Sequence, residues 1–124
     1  MSRPYVFEYA ALRAVPRVER GECVNIGVVL YCQIRDFLAV AVHVDEARLR
    51  ALDPGVDVEG VRAAALALQR TCDGEGPAGQ TTIGQRFRWL TAPRSTVVQA
   101  GPAHSGLTAD PAAELARLVT ELVR

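Results

Sequence analysis

A chain of 124 residues, 49% of them hydrophobic, carries enough apolar material for one core and too much for intrinsic disorder. Its 14 basic side chains are matched by 14 acidic ones, so no net field gathers it onto nucleic acid or an anionic membrane. No run approaches the ~18 apolar residues of a membrane span, and Met1 to Pro4 lead into a strand without a signal-peptide pattern. The three cysteines, Cys23, Cys32 and Cys72, lack CxxC spacing, which suits reduced thiols in the cytoplasm better than a disulfide framework or a zinc knuckle.

Tyr5 to Val15 reads as a first strand, with Tyr5, Phe7, Tyr9 and Ala11 on one face and Glu8 and Leu12 on the other. Pro16 cannot donate to a ladder and ends the pairing. The strongest β-forming run follows a polar connection: in Val24 to Cys32, Val24, Ile26, Val28, Leu30 and Cys32 share an apolar face opposite Asn25, Gly27, Val29 and Tyr31. Phe37 to Val44 is the third strand, and the short link Gln33 to Asp36 makes the pair a hairpin. A three-residue loop aligns the two aliphatic faces, whereas a two- or four-residue loop sets Val28 against Ala41. The aliphatic match is favoured.

Asp45 caps a short helix from Glu46 to Leu52 that Asp53-Pro54-Gly55 stops, and Asp57 caps a second from Val58 to Cys72. Gly74 stands where a left-handed helix terminator belongs. Asp73 to Gly84 is rich in Gly, Pro and Thr and reads as a mobile loop. Its Gly74-Glu75-Gly76-Pro77-Ala78-Gly79 spells GxGxxG but follows a helix rather than a strand, so it is no dinucleotide motif. Gln85 to Leu90 reads as a helical turn, Thr96 to Gln99 as a fourth strand, and Ala100 to Thr108 as a loop or ragged edge strand. A last helix is capped by Asp110, carries Pro111 in its first turn, and shows Leu115, Leu118, Val119 and Leu122 as one stripe.

The order strand-strand-strand-helix-helix-strand-helix predicts a single α+β domain over residues 1–124. Its antiparallel sheet has about four strands, a three-strand meander plus one later strand, packed with two or three helices. Both faces of the second and third strands are largely apolar. This suits helices on one side and a homodimer partner on the other.

Tyr9 to Arg13, Pro16, Glu19-Arg20-Gly21-Glu22 and Asn25-Ile26-Gly27-Val28, with Phe87 to Thr96 and His104 to Thr108 downstream, resemble the bacterial family catalogued as domain of unknown function 3037. The resemblance covers almost the whole chain. It implies a small bacterial protein without an assigned activity, and its genomic context points to a HipA-type kinase as a protein partner.

Two blocks and one histidine are the candidate functional residues. At the mouth of the second strand, Arg20, Glu22 and Asn25 offer a polar pocket in which Glu19 or Glu22 acts as a base. The bland alternative is a turn with a local ion pair. Further on, Arg88, Arg94, Ser95 and Thr96 suit a phosphate or carboxylate, because guanidinium groups bind such anions bidentately; the alternative is a strand entry with solvated arginines. His104 is a candidate acid or base. Neither His104 nor His43 has neighbours at metal-ligand spacing, so neither a metal nor any other cofactor is expected.

Three functions fit. The first is an accessory or interaction module that binds a protein partner or an anionic ligand. The second is a small enzyme of phosphoryl or acyl chemistry, with Glu22 or His104 as base and Arg94 and Arg20 holding an anion. It requires the Arg20–Asn25 and Arg88–Thr96 blocks to share a cleft. The third is a nucleic-acid module using Arg86, Arg88 and Trp89, which the balanced charge disfavours.

Overall fold

The computed structural model describes residues 3–124. Its strands are β1 (Tyr5–Ala14), β2 (Val24–Cys32), β3 (Phe37–Val42), β4 (Val98–Ala100) and β5 (His104–Thr108). Its helices are α1 (Glu46–Leu52), α2 (Val58–Cys72), α3 (Gly76–Gly79), α4 (Ile83–Thr91) and α5 (Pro111–Leu122). Helices start where the capping residues place them. The Asp45, Asp57 and Asp110 side chains accept bonds from the N–H groups of Arg48, Gly60 and Ala113, satisfying donors that the first turn leaves open. α2 ends in a Schellman turn. With Gly74 at φ +94°, its N–H donates to the Thr71 carbonyl at 3.0 Å, and Glu75 N–H donates to the Arg70 carbonyl at 2.9 Å.

The strands form one antiparallel sheet ordered β3-β2-β1-β4, the expected α+β architecture. β5 pairs with the first half of β1, on the edge whose second half takes β4. Leu49 of α1, Val58, Val61 and Leu68 of α2, and Phe87 and Leu90 of α4 pack on Ala10, Leu12, Ala14 and Val29. On the opposite face Leu115, Leu118, Val119 and Val123 pack on Phe7, Val28, Leu30 and Cys32. The face that suited a dimer partner is therefore covered by α5 of the same chain. Burial of each such aliphatic side chain contributes about 1.5–3 kcal/mol, and β2, lined on both sides, is the central scaffold.

Double-sided burial also decides the hairpin. Cys32 pairs with Phe37 across the four-residue turn, and Val28 lies opposite Ala41, so the favoured aliphatic match is corrected. Under α5, Val28 and Leu30 sit beside Ala41 and Ala39, while under α2, Val29 sits beside Val40. Large residues next to small ones leave room for a helix on the α5 side. Aligning the aliphatics would serve a sheet with one buried face, and this sheet has two.

A second correction concerns β2 itself. Between β1 and β2 the register jumps from Leu12↔Gly27 to Arg13↔Asn25, leaving Ile26 as an extra residue. This β-bulge turns Ile26 and Val24 towards the α2 layer, away from Val28, Leu30 and Cys32. The continuous apolar face read from alternation is thus split in two. Gly27 lies beside the bulge, where an added Cβ would come within 2.6 Å of the Ala41 carbonyl oxygen. The close approach that requires glycine is made by β3.

Gln85 to Leu90, read as a turn, belongs to the nine-residue helix α4. The Thr82 hydroxyl accepts from Gln85 N–H, and the Gln85 side chain accepts from Thr82 N–H, each at 3.2 Å. This capping box explains why a helix starts there. The preceding segment is also folded: it holds the single turn α3, and Arg86 donates to the carbonyls of Cys72 and Thr81 at 2.8 and 3.2 Å. Within Ala100 to Thr108, Ala100 closes β4 and His104 to Thr108 form an edge strand, β5. Among the described residues no helix is long and apolar enough to cross a membrane.

Candidate functional site

Strand alternation places Tyr9, Ala11 and Arg13 on the α5 side of β1. The neighbouring strands then bring polar side chains beside them. On β5, His104 lies opposite Tyr9, with ring centroids 5.4 Å apart. On β2, Asn25 lies opposite Arg13. Without the bulge, Asn25 would face α2, because Val28 faces α5 and residues alternate. The extra residue Ile26 re-aims it. These side chains, with Pro102 and Leu122 at the end of α5, line a cleft of about 140 Å³.

The electrostatics of the cleft favour an anion. Arg13 is half-buried, and no described carboxylate lies within ion-pairing distance of its guanidinium. The guanidinium lies flat against the backbone of Gly101, where an added Cβ would come within 2.8 Å of its Cζ. Asn25 Nδ2 donates to the Leu122 carbonyl at 3.0 Å, and Arg48 donates to the Val123 carbonyl. These two donors offset the negative end of α5 that would otherwise repel an anion. A guanidinium beside an amide, a phenol and an imidazole presents hydrogen-bond donors to a carboxylate or phosphate. At roughly 30 Å³ per water, the cleft takes a group the size of a phosphate.

Two of the candidates named from sequence, Asn25 and His104, thus meet in one cleft, and the others lie outside its lining. Arg20 forms an exposed ion pair with Glu22, and the carboxylate strengthens the guanidinium's hold on its proton. Bonding to its own backbone and to Arg17 holds the Glu19 carboxyl below its ordinary value, the wrong direction for a base at neutral pH. Arg94 stacks on Trp89, its Cζ 4.5 Å from the ring centroid, and donates to the Trp89 carbonyl. Thr96 Oγ1 donates to the Val98 carbonyl at 2.7 Å, and Ser95 is exposed. Arg88 lines a separate groove with Tyr31, Asp36 and Thr82.

Val24 and Val98 both pair with Ala14. Val24 and Val98 therefore stand about 10 Å apart, two strand spacings, on opposite sides of the end of β1; the first lies within the Arg20–Asn25 block and the second follows the Arg88–Thr96 block. Of the arginines near Trp89, Arg86 is engaged with the end of α2. Among the described residues no three His, Cys, Asp or Glu side chains gather as metal ligands.

Reading the sequence missed Arg13 and Tyr9 as site residues. The available signal was the lone cation of the first strand, near its end and in phase with Tyr9. Its partners come from residues 25 and 104, and the bulge hides the first of these from simple alternation.

The family described as "Protein of unknown function (DUF3037)" matches residues 9–123, from Tyr9 of the cleft to the end of α5. No curated protein and no solved structure gives a significant match.

Proposed function

The chain belongs to the DUF3037 family, and we propose that it is a binding module for a small anionic group, a carboxylate or phosphate, held by Arg13. The observation that carries this reading is the placement of Arg13. A half-buried guanidinium without a carboxylate partner among the described residues lies in a cleft with Asn25, Tyr9 and His104. Arginine in such surroundings gains two aligned charge-assisted hydrogen bonds when an oxyanion enters. The cleft's lining contains no carboxylate, so its polar groups are suited to holding an anion.

Titration with inorganic phosphate and with acetate, followed by NMR shifts of the Arg13 and His104 side chains, tests the reading. Saturable shifts are expected, and Arg13→Ala is expected to weaken binding at least tenfold, since a hydrogen bond to a charged group is worth about 1.5–3 kcal/mol. Affinity should fall as salt rises. Shifts that never saturate, or that survive Arg13→Ala unchanged, would overturn it.

A further inference from the structure

At the other end of the sheet the α2-side face is left bare. Val6, Leu107 and Ile34 are 59%, 64% and 71% exposed. Val6 and Leu107 are direct cross-strand partners on β1 and β5. Val6 and Ile34 also line a groove of about 440 Å³ with Glu8, Tyr31, Gln33 and Ser105. Glu8 is the only charged residue of that lining, and it has no ion-pair partner among the described residues.

The main chain beside this groove is open as well. Gly101 N–H donates to the Ala11 carbonyl and Val15 N–H to the Val97 carbonyl, so odd-numbered residues of β1 direct their backbone groups towards β4 and β5. Tyr5, Phe7 and Tyr9 therefore bond to Thr108, Gly106 and His104, their register partners. The N–H and C=O groups of Ser105 and Leu107 then point away from the sheet. Among the described strands β5 pairs with β1 alone, and nothing in its sequence, His104-Ser105-Gly106-Leu107-Thr108, supplies the charge or proline that usually guards an edge.

We infer that β5 is the docking edge for an extended segment of a partner protein, added to the sheet as a further strand. Its alternate side chains include an apolar residue over Leu107 and Val6 and a lysine or arginine reaching Glu8. The open backbone groups select a strand rather than a helix, and the bare apolar pair supplies side-chain contact. The uncompensated carboxylate sets the sign of the partner's charge. This surface is separate from the Arg13 cleft, and either stands without the other.

The probes are two capped hexapeptides, threonine throughout except for a valine and, two residues on and so on the same face, a lysine in one and a glutamate in the other, titrated into the full chain. The lysine peptide should bind at least fivefold more tightly, slow exchange of the Ser105 and Leu107 amides, and lose that advantage in Glu8→Gln. Leu107→Pro should abolish binding while the fold survives, because the lost N–H makes no bond within the sheet. Amide exchange in the unaltered protein keeps the test decisive should that variant misfold. Equal binding of both peptides, no binding at millimolar peptide, or binding that leaves the Ser105 and Leu107 amides unprotected would overturn the inference. So would sedimentation showing that a second copy of the chain occupies this edge.

Discussion

Gly101→Ala separates positioning of Arg13 from folding. The new Cβ would stand 2.8 Å from Arg13 Cζ, 3.0 Å from Nη2 and 3.1 Å from Nε, against the 3.5–4.0 Å of an ordinary carbon contact. The whole guanidinium plate must therefore shift by several tenths of an ångström. Because the obstacle is the end of a flexible side chain, the cost to folding is small. Restricting the unfolded chain returns about 0.4–1 kcal/mol, and Gly101 is not among the glycines with positive φ. Net stability should stay within about 1 kcal/mol of the parent. Binding should suffer more. Misaligning an arginine–oxyanion pair forfeits about half of its ~1.5–3 kcal/mol, roughly a three- to twelvefold loss of phosphate affinity. Calorimetric titration with phosphate, paired with thermal denaturation, reads both quantities. Unchanged affinity would refute Arg13 as the anchor. A loss of more than ~2 kcal/mol of stability would show that Gly101 serves packing instead.

Gly27→Ala drives a methyl group to within 2.6 Å of the Ala41 carbonyl oxygen, a backbone atom that cannot step aside without opening the β2–β3 ladder. Urea denaturation should show a loss of about 1–3 kcal/mol, and a stability gain would contradict the assigned register. Thr82→Ala removes half of the capping box that starts α4 and should cost about 1 kcal/mol in the same assay. Burial, and then the Asp73 carboxylate, push the Cys72 thiol up to about 11 from its reference of 9. The folded state therefore holds this proton more tightly than the unfolded chain, so its contribution is fully present below pH 9 and lost as pH rises through about 11. A thiol reagent at neutral pH should modify exposed Cys23 well before buried Cys72, as peptide mass mapping would show.

The chain's local chemistry was sufficient to place much of the fold. Aspartates at 45, 57 and 110 mark three helix starts because a short carboxylate satisfies amides that only a first turn leaves free. Gly74 marks an end because its φ of +94° strains any residue with a Cβ. The Val24–Cys32 stretch announces a strand through its β-branched content. Each of these signals acts within a few residues, and each is legible without knowing what lies across the sheet. Thr82 and Gln85 belong to the same class, since their capping box is complete within four residues.

Tertiary packing decided everything that depends on a face. Whether Val28 meets Ala41 or an aliphatic depends on α5 needing room on the second side, and no property of the hairpin itself carries that information. The bulge at Ile26 is likewise a compromise between pairing and burial, yet it turns Asn25 towards Arg13. His104 and Arg13 are 91 positions apart in the chain and reach one cleft only because β4 and β5 share an edge of β1. Residue type and spacing specify the elements. The site arises from how two helical layers compete for the faces of one sheet.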